Sequence, residues 1–125
     1  MSSDHRFRKL SEARALTEPE RQVLWALLAA AGPERGTYEC QAANARVSEE
    51  CEECPTVFFS VDPKRCPPVG YTKMPFEAAV TGTPGQDIRL LLFVRNGYID
   101  ELETYRTDGE AVGNWPDAGR LTLVR

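Results

Sequence analysis

Two strand-like runs, residues 88–94 and 98–105, flank Asn96-Gly97, and this pairing limits the chain more than any other of its features. A two-residue hairpin turn of the kind whose twist matches the strands needs positive φ at both central positions, which Asn and Gly accept most readily. The C-terminal half must therefore contain antiparallel sheet. Strict alternation fails at Ile99-Asp100-Glu101-Leu102, where two large apolar residues sit three apart; a β-bulge here would turn both inward. A preceding strand over 76–81, set off by the turn-like Gly82-Thr83-Pro84-Gly85, extends the hairpin to a meander, and 121–124 can add a terminal edge strand.

Upstream, Thr17-Glu18-Pro19-Glu20 has the form of a capping box, with Pro in the first turn and acids placed to suit the helix dipole. Val23, Leu24, Leu27, Leu28 and Ala31 recur on one helical face, and Gly32-Pro33 supplies the stop, so a helix is expected over 17–31. Trp25 lies off the centre of this stripe, as a residue packing at the edge of a core does. A short second helix within 34–43 is favoured over a strand. A β-hairpin follows over 45–61, its strands separated by Cys51-Glu52-Glu53-Cys54-Pro55, and a Pro-rich loop runs on to Pro75.

With 125 residues, 42% of them apolar, the chain fits one domain able to bury a core. The expected fold class is α+β: an N-terminal helix, with or without a second, packed on one face of a four- to six-stranded, mostly antiparallel sheet. Residues 1–16, which include Arg6, Arg8 and Lys9, read as a polar, flexible tail, and 17–125 as the domain. The apolar run 23–31 reaches about half of the roughly 20 residues that a bilayer span needs, and the first residues are charged rather than signal-like. A cytoplasmic location without membrane contact is the expectation. A net charge of −4 with dispersed basic residues speaks against nucleic acid as a partner.

Four segments also bear a resemblance: Ala45-Arg46-Val47, Cys51-x-x-Cys54-Pro55-Thr56-Val57, the run from Asn96-Gly97-Tyr98-Ile99 to Tyr105, and Asp108-Gly109-Glu110. In this order they resemble a family of small bacterial proteins of the actinobacterial type. The resemblance spans roughly residues 17–124 and implies a helix followed by an antiparallel sheet; it carries no activity, cofactor or site residue.

Candidate sites come from the residues themselves. Cys51 and Cys54 are half of a structural zinc set, which Cys40 and Cys66 would have to complete, but neither forms a second close pair, and the only histidine, His5, lies in the tail. If the first pair flanks a hairpin turn, Cys40 and Cys66 belong near the hairpin's far end, and a four-thiolate site needs the loops to fold back. A cytosolic setting favours thiols over disulfides. No other cofactor is indicated. Redox chemistry is disfavoured because a strand, not a helix N-terminus, follows the motif, and because Glu49, Glu50, Glu52 and Glu53 discourage a thiolate. A disulfide between Cys51 and Cys54 remains geometrically open.

The acidic tip with Glu52 and Glu53 can attract a basic partner or simply stay solvated. Glu101, Glu103 and Tyr105 share one face of their strand, with Arg89 or Arg95 as cross-strand neighbours, so acid, base and phenol can cluster. Trp115 and Tyr71 are loop aromatics that could line a partner surface, although loop aromatics more often plug the end of a core. With no phosphate-binding loop, dinucleotide fingerprint or nucleophile elbow, the leading reading is a non-catalytic protein-interaction module, inhibitor- or immunity-like at most. The alternatives are a small enzyme or ligand-binding domain with Glu101, Glu103 and Tyr105 facing a pocket under the helix, and a zinc-stabilised domain. The direction of strand 98–105 decides between the first two. The C-terminal edge strand leaves a homodimer open.

Overall fold

The protein is described by a computed structural model over residues 6–70, 76–80 and 87–124. Strand β1 (Phe7–Arg14) leads to helix α1 (Glu18–Leu28), then to a 3₁₀ turn over Gly32–Glu34 and helix α2 (Arg35–Asn44). Strands β2 (Arg46–Cys51), β3 (Val57–Ser60), β4 (Phe76–Val80), β5 (Ile88–Arg95), β6 (Tyr98–Arg106) and β7 (Thr122–Val124) follow. Among the described residues, seven strands form one antiparallel sheet in the order β1-β2-β3-β6-β5-β4-β7. The α+β class and the antiparallel sheet agree with the sequence reading; the sheet has one strand more than the range expected, and a strand precedes the first helix.

That extra strand is β1, in the segment read as a flexible tail. Its sequence does not alternate, and its partners are distant. Arg8 pairs with Glu50 at 2.9 Å, and Arg14 reaches both Glu50 at 2.8 Å and the buried Glu20 at 2.9 Å. Glu20 also closes the predicted capping box: its amide donates to Thr17 Oγ1, and its carboxylate accepts from the Thr17 amide. One carboxylate thus caps α1 and holds the end of β1. Paired in this way it meets the condition for a charge to be buried.

Both helices pack on one face of the sheet. Val23, Leu24, Leu27 and Leu28 of α1 and Tyr38 and Ala42 of α2 join Val47, Val57, Phe59, Ala78, Leu90, Leu92 and Leu102 in a single core. Tyr38 meets Phe76 edge-on, with ring centroids 5.2 Å apart. Trp25 and Trp115 pack at the margin of this core, as expected. Tyr71, the turn 82–85 and His5 lie outside the described residues.

The hairpin at Asn96-Gly97 forms as predicted, with φ of 54° and 83°. The register slips between Phe93 and Val94, which oppose Glu101 and Ile99, so Asp100 is the extra residue of a bulge and both Ile99 and Leu102 turn inward. A side chain at position 97 would be blocked as well as strained, since a Cβ there would lie 2.6 Å from the Pro68 Cβ. What holds this turn in place is Gln41, which is fully buried. Its Nε2 donates to the carbonyls of Pro67 (3.0 Å) and Gly97 (2.9 Å), and its Oε1 accepts from the Ile99 amide at 3.0 Å. One amide thereby joins α2, the loop after β3 and the β5–β6 turn.

Gln41→Leu preserves size but leaves three backbone groups without this partner. It should lower stability by about 3 kcal/mol in urea unfolding, whereas the i,i+4 partner change Glu39→Gln, on the exposed side of α2, should shift it by less than about 0.5 kcal/mol.

Candidate functional site

Residues opposite one another in adjacent antiparallel strands point to the same face. The row Lys9, Glu49, Phe58, Glu101, Phe93 therefore crosses five strands on the face away from the helices. Beside it run Glu103, Leu91, Glu77 and Val124, then Tyr105, Arg89, Ala79 and Thr122. Ile99, Leu102 and Thr104 are the buried residues of β6. Glu101, Glu103 and Tyr105 consequently face outward, and the pocket reading loses the groups assigned to it.

The outward face is only partly polar. Phe7 and Val124 are 43% and 39% exposed, and Phe7 stacks edge-on against Phe58 at 5.0 Å. Phe58, Leu91 and Phe93 are half-buried without belonging to the core on the other side. In their midst lies Glu101, directly opposite Phe58 on one side and Phe93 on the other. Its pKa is pushed up to about 7, first by burial, then by the charge of Glu103 and a hydrogen bond with it, and last by Asp100. Of the expected bases, Arg89 stands opposite Tyr105 but pairs with Glu77 at 3.1 Å, and Arg95 lies beyond the bulge, opposite Tyr98. Among the described residues no cation pairs with Glu101 or Glu103. The predicted cluster is thus an acid pair set among aromatic rings.

The cysteines fall into two pairs rather than one metal set. Cys40 and Cys66 are joined in a disulfide with Cα atoms 6.0 Å apart, which corrects the expectation of four thiols or ligands. The bond forms because α2 and the loop after β3 meet over the end of the sheet, the far end of the hairpin, as its geometry implied. Cys51 and Cys54 sit at the hairpin corner with their sulfurs 2.7 Å apart, and the Cys51 thiol pKa is pushed up by burial and then by Cys54, rather than by the neighbouring glutamates. Among the described residues no group of three or more His, Cys, Asp or Glu gathers to hold a metal, so Cys40, Cys51, Cys54 and Cys66 do not assemble into the zinc site considered. Glu52 and Glu53 are exposed at the tip, while Glu50 turns to the helix side, where Arg8 and then Arg14 hold its carboxyl below the usual range.

A second feature had no counterpart in the sequence reading. Where the β1–α1 connection, the end of α2 and the end of β3 meet, a cleft of about 610 Å³ opens, lined by Arg21, Arg46 and Arg65 among others. Successive members of this set are 25 and 19 positions apart, and no local pattern links them. No helix among the described residues is long and apolar enough to cross a membrane. No protein-family model, curated protein or solved structure matches the chain.

Glu101 should titrate near pH 7 by carboxyl-detected NMR, and Glu103→Gln should lower its midpoint without restoring the ordinary value, because burial remains. Between the ordinary carboxyl pKa of 4.5 and about 7 the unfolded chain has lost a proton that the folded chain retains. Stability from this group therefore falls as pH rises through that window, by on the order of 1 kcal/mol for a half-exposed carboxyl. Glu101→Gln should flatten that part of the pH profile. Replacing Cys40 and Cys66 together by Ala opens a loop of sequence separation 26 and should cost about 3 kcal/mol in urea unfolding.

Proposed function

We propose that this chain is a non-catalytic protein-interaction module, whose working surface is the helix-free face of the sheet and whose partner presents a basic side chain flanked by apolar ones. Glu101 carries the reading. A carboxyl placed among Phe58, Phe93 and a second acid costs folding stability at neutral pH, and nothing in the fold needs it there. A cation docked against Glu101 and Glu103 would lower the pKa of the pair and recover that cost, while Phe58, Leu91 and Phe93 offer the apolar surround that excludes water around interface hot spots. The outward course of Glu101, Glu103 and Tyr105 also favours this reading over an enzyme pocket under the helices. Inhibition of the partner, in the manner of an immunity protein, is the form of action that such a surface suits. A cytoplasmic setting would require the Cys40–Cys66 bond to be reduced or transient.

A displayed library of random peptides selected on the immobilised protein tests the chemistry of the partner directly. Enriched peptides should carry Arg or Lys next to aromatic or aliphatic residues, and should bind at least tenfold more weakly to the Glu101→Gln/Glu103→Gln variant. Their affinity should fall as pH drops through 7, when Glu101 takes up its proton. Enrichment of acidic peptides, or equal binding to the double variant, would remove the proposal.

A further inference from the structure

The arginine-lined cleft lies on the helix side, away from the acid pair, and the reading above does not use it. Arg21 comes from α1, Arg46 from the start of β2, and Arg65 from the loop after β3. Elsewhere Arg8, Arg14, Arg35, Arg89 and Arg106 each have a carboxylate oxygen within 3.1 Å, whereas Arg6, Arg95 and Arg120, scattered outside the cleft, have none among the described residues. The cleft gathers three weakly paired or unpaired arginines in one concavity. Among the described residues neither Arg46 nor Arg65 pairs with a carboxylate, and Arg21 meets only Glu18, loosely, at 3.7 Å. With 19 acidic residues against 15 basic ones, the chain does not lack carboxylates to supply.

The fold anchors their backbones around the cleft. The Arg46 guanidinium donates through Nε and Nη2 to the Ala13 carbonyl, at 3.3 and 3.2 Å, which leaves both Nη1 hydrogens and the second Nη2 hydrogen, its end-on fork, uncommitted. The backbone of Arg65 is held by its amide donating to the Asp62 carbonyl at 3.0 Å, and the next residue is covalently tied to α2 through the Cys40–Cys66 bond. Asp62 is the acid in the lining, and one of its carboxylate oxygens accepts from the Lys64 amide at 2.9 Å. Three guanidiniums less one carboxylate leave a lining charge of +2. Leu16 and Val61 add apolar surface.

We infer that this cleft is a binding site for a phosphate monoester, its phosphate held by Arg46 and Arg65 with Arg21 at the rim, and its organic part resting on Leu16 and Val61. A phosphate dianion matches the lining charge, and guanidinium forks bind its oxygens in pairs. A volume of about 610 Å³ falls within the range of small-molecule sites and exceeds what an inorganic ion fills.

Phenyl phosphate, titrated into isotope-labelled protein and followed by amide NMR, tests the site. It should shift the amides of Leu16, Arg46, Val61 and Arg65, with inorganic phosphate and benzoate each binding roughly tenfold more weakly. Arg65→Gln should weaken phenyl phosphate at least fivefold while leaving the urea midpoint unchanged, since the Arg65 side chain is exposed and bonds to nothing among the described residues. Arg46→Lys, which retains charge but loses the fork, should weaken it as well. Three outcomes would overturn the inference: no shift at about 10 mM phenyl phosphate; equal affinity for inorganic phosphate, meaning an adventitious ion only; or unchanged binding by Arg65→Gln.

Discussion

The three hydrogen bonds of Gln41 are the interaction on which the arrangement of the two halves rests. α2 belongs to the N-terminal half, and the β5–β6 hairpin to the C-terminal half. The loop after β3 joins β3 to a meander whose order in the sheet runs backward from β6 to β4. Strand pairing alone fixes β3 against β6 through only two residue pairs, Val57 with Leu102 and Phe58 with Glu101. The buried amide adds a second junction between the halves, one whose donors and acceptor are all used, and an amide in such a site specifies one orientation of its neighbours. Around it, the Val69 amide donates to the Gly97 carbonyl at 2.8 Å, the Tyr98 hydroxyl donates to the Cys66 carbonyl at 3.0 Å, and the Cys40–Cys66 bond closes the same corner.

This corner fixes the register of β6, and that register decides what the outer face of the sheet can do. Ile99 is held under Gln41, so the bulge at Asp100 places Leu102 inward, and everything beyond alternates from there. Glu101 is thereby directed outward to a position between Phe58 and Phe93. Without the extra residue, Ile99 and Leu102 would point to opposite faces, because the side-chain period of a strand is two. The acid pair among aromatic rings is thus a consequence of a packing choice made on the opposite face.

Much of this was legible wherever the signal was local. The capping box at Thr17, the turn at Asn96-Gly97 and the broken alternation at 99–102 each contain their own physical cause within a few residues, and each forms as expected. Strand β1 was not legible, since its residues read as solvated charges until Glu50 and Glu20 are placed beside them. Gln41 gave no signal, because a glutamine on a helix is ordinarily exposed and only the neighbouring backbone makes its burial acceptable. The pairing of Cys40 with Cys66 depends on where α2 ends relative to the loop after β3, a tertiary fact that spacing does not contain. The shared face of Glu101, Glu103 and Tyr105 could be read, but whether that face was buried depended on the bulge and on the side to which the helices pack.

The two candidate surfaces share one electrostatic logic with opposite sign. Most of the chain's ion pairs satisfy charge locally, and pairs of that exposed kind contribute little. In two places like charges without a close ion pair gather: Glu101 and Glu103 lie together on the outer face, while Arg46 and Arg65 line the cleft. Like charges held together raise the energy of the fold, and a sequence selected for stability alone would have interleaved them, as it does at Arg14, Glu20 and Glu50. Segregation of this kind has a physical return only when a ligand of the other sign completes each site. The acid pair, flat and ringed by apolar side chains, suits a macromolecular surface. The arginines, set around an open cleft, suit a small ligand that a concave surface can partly surround.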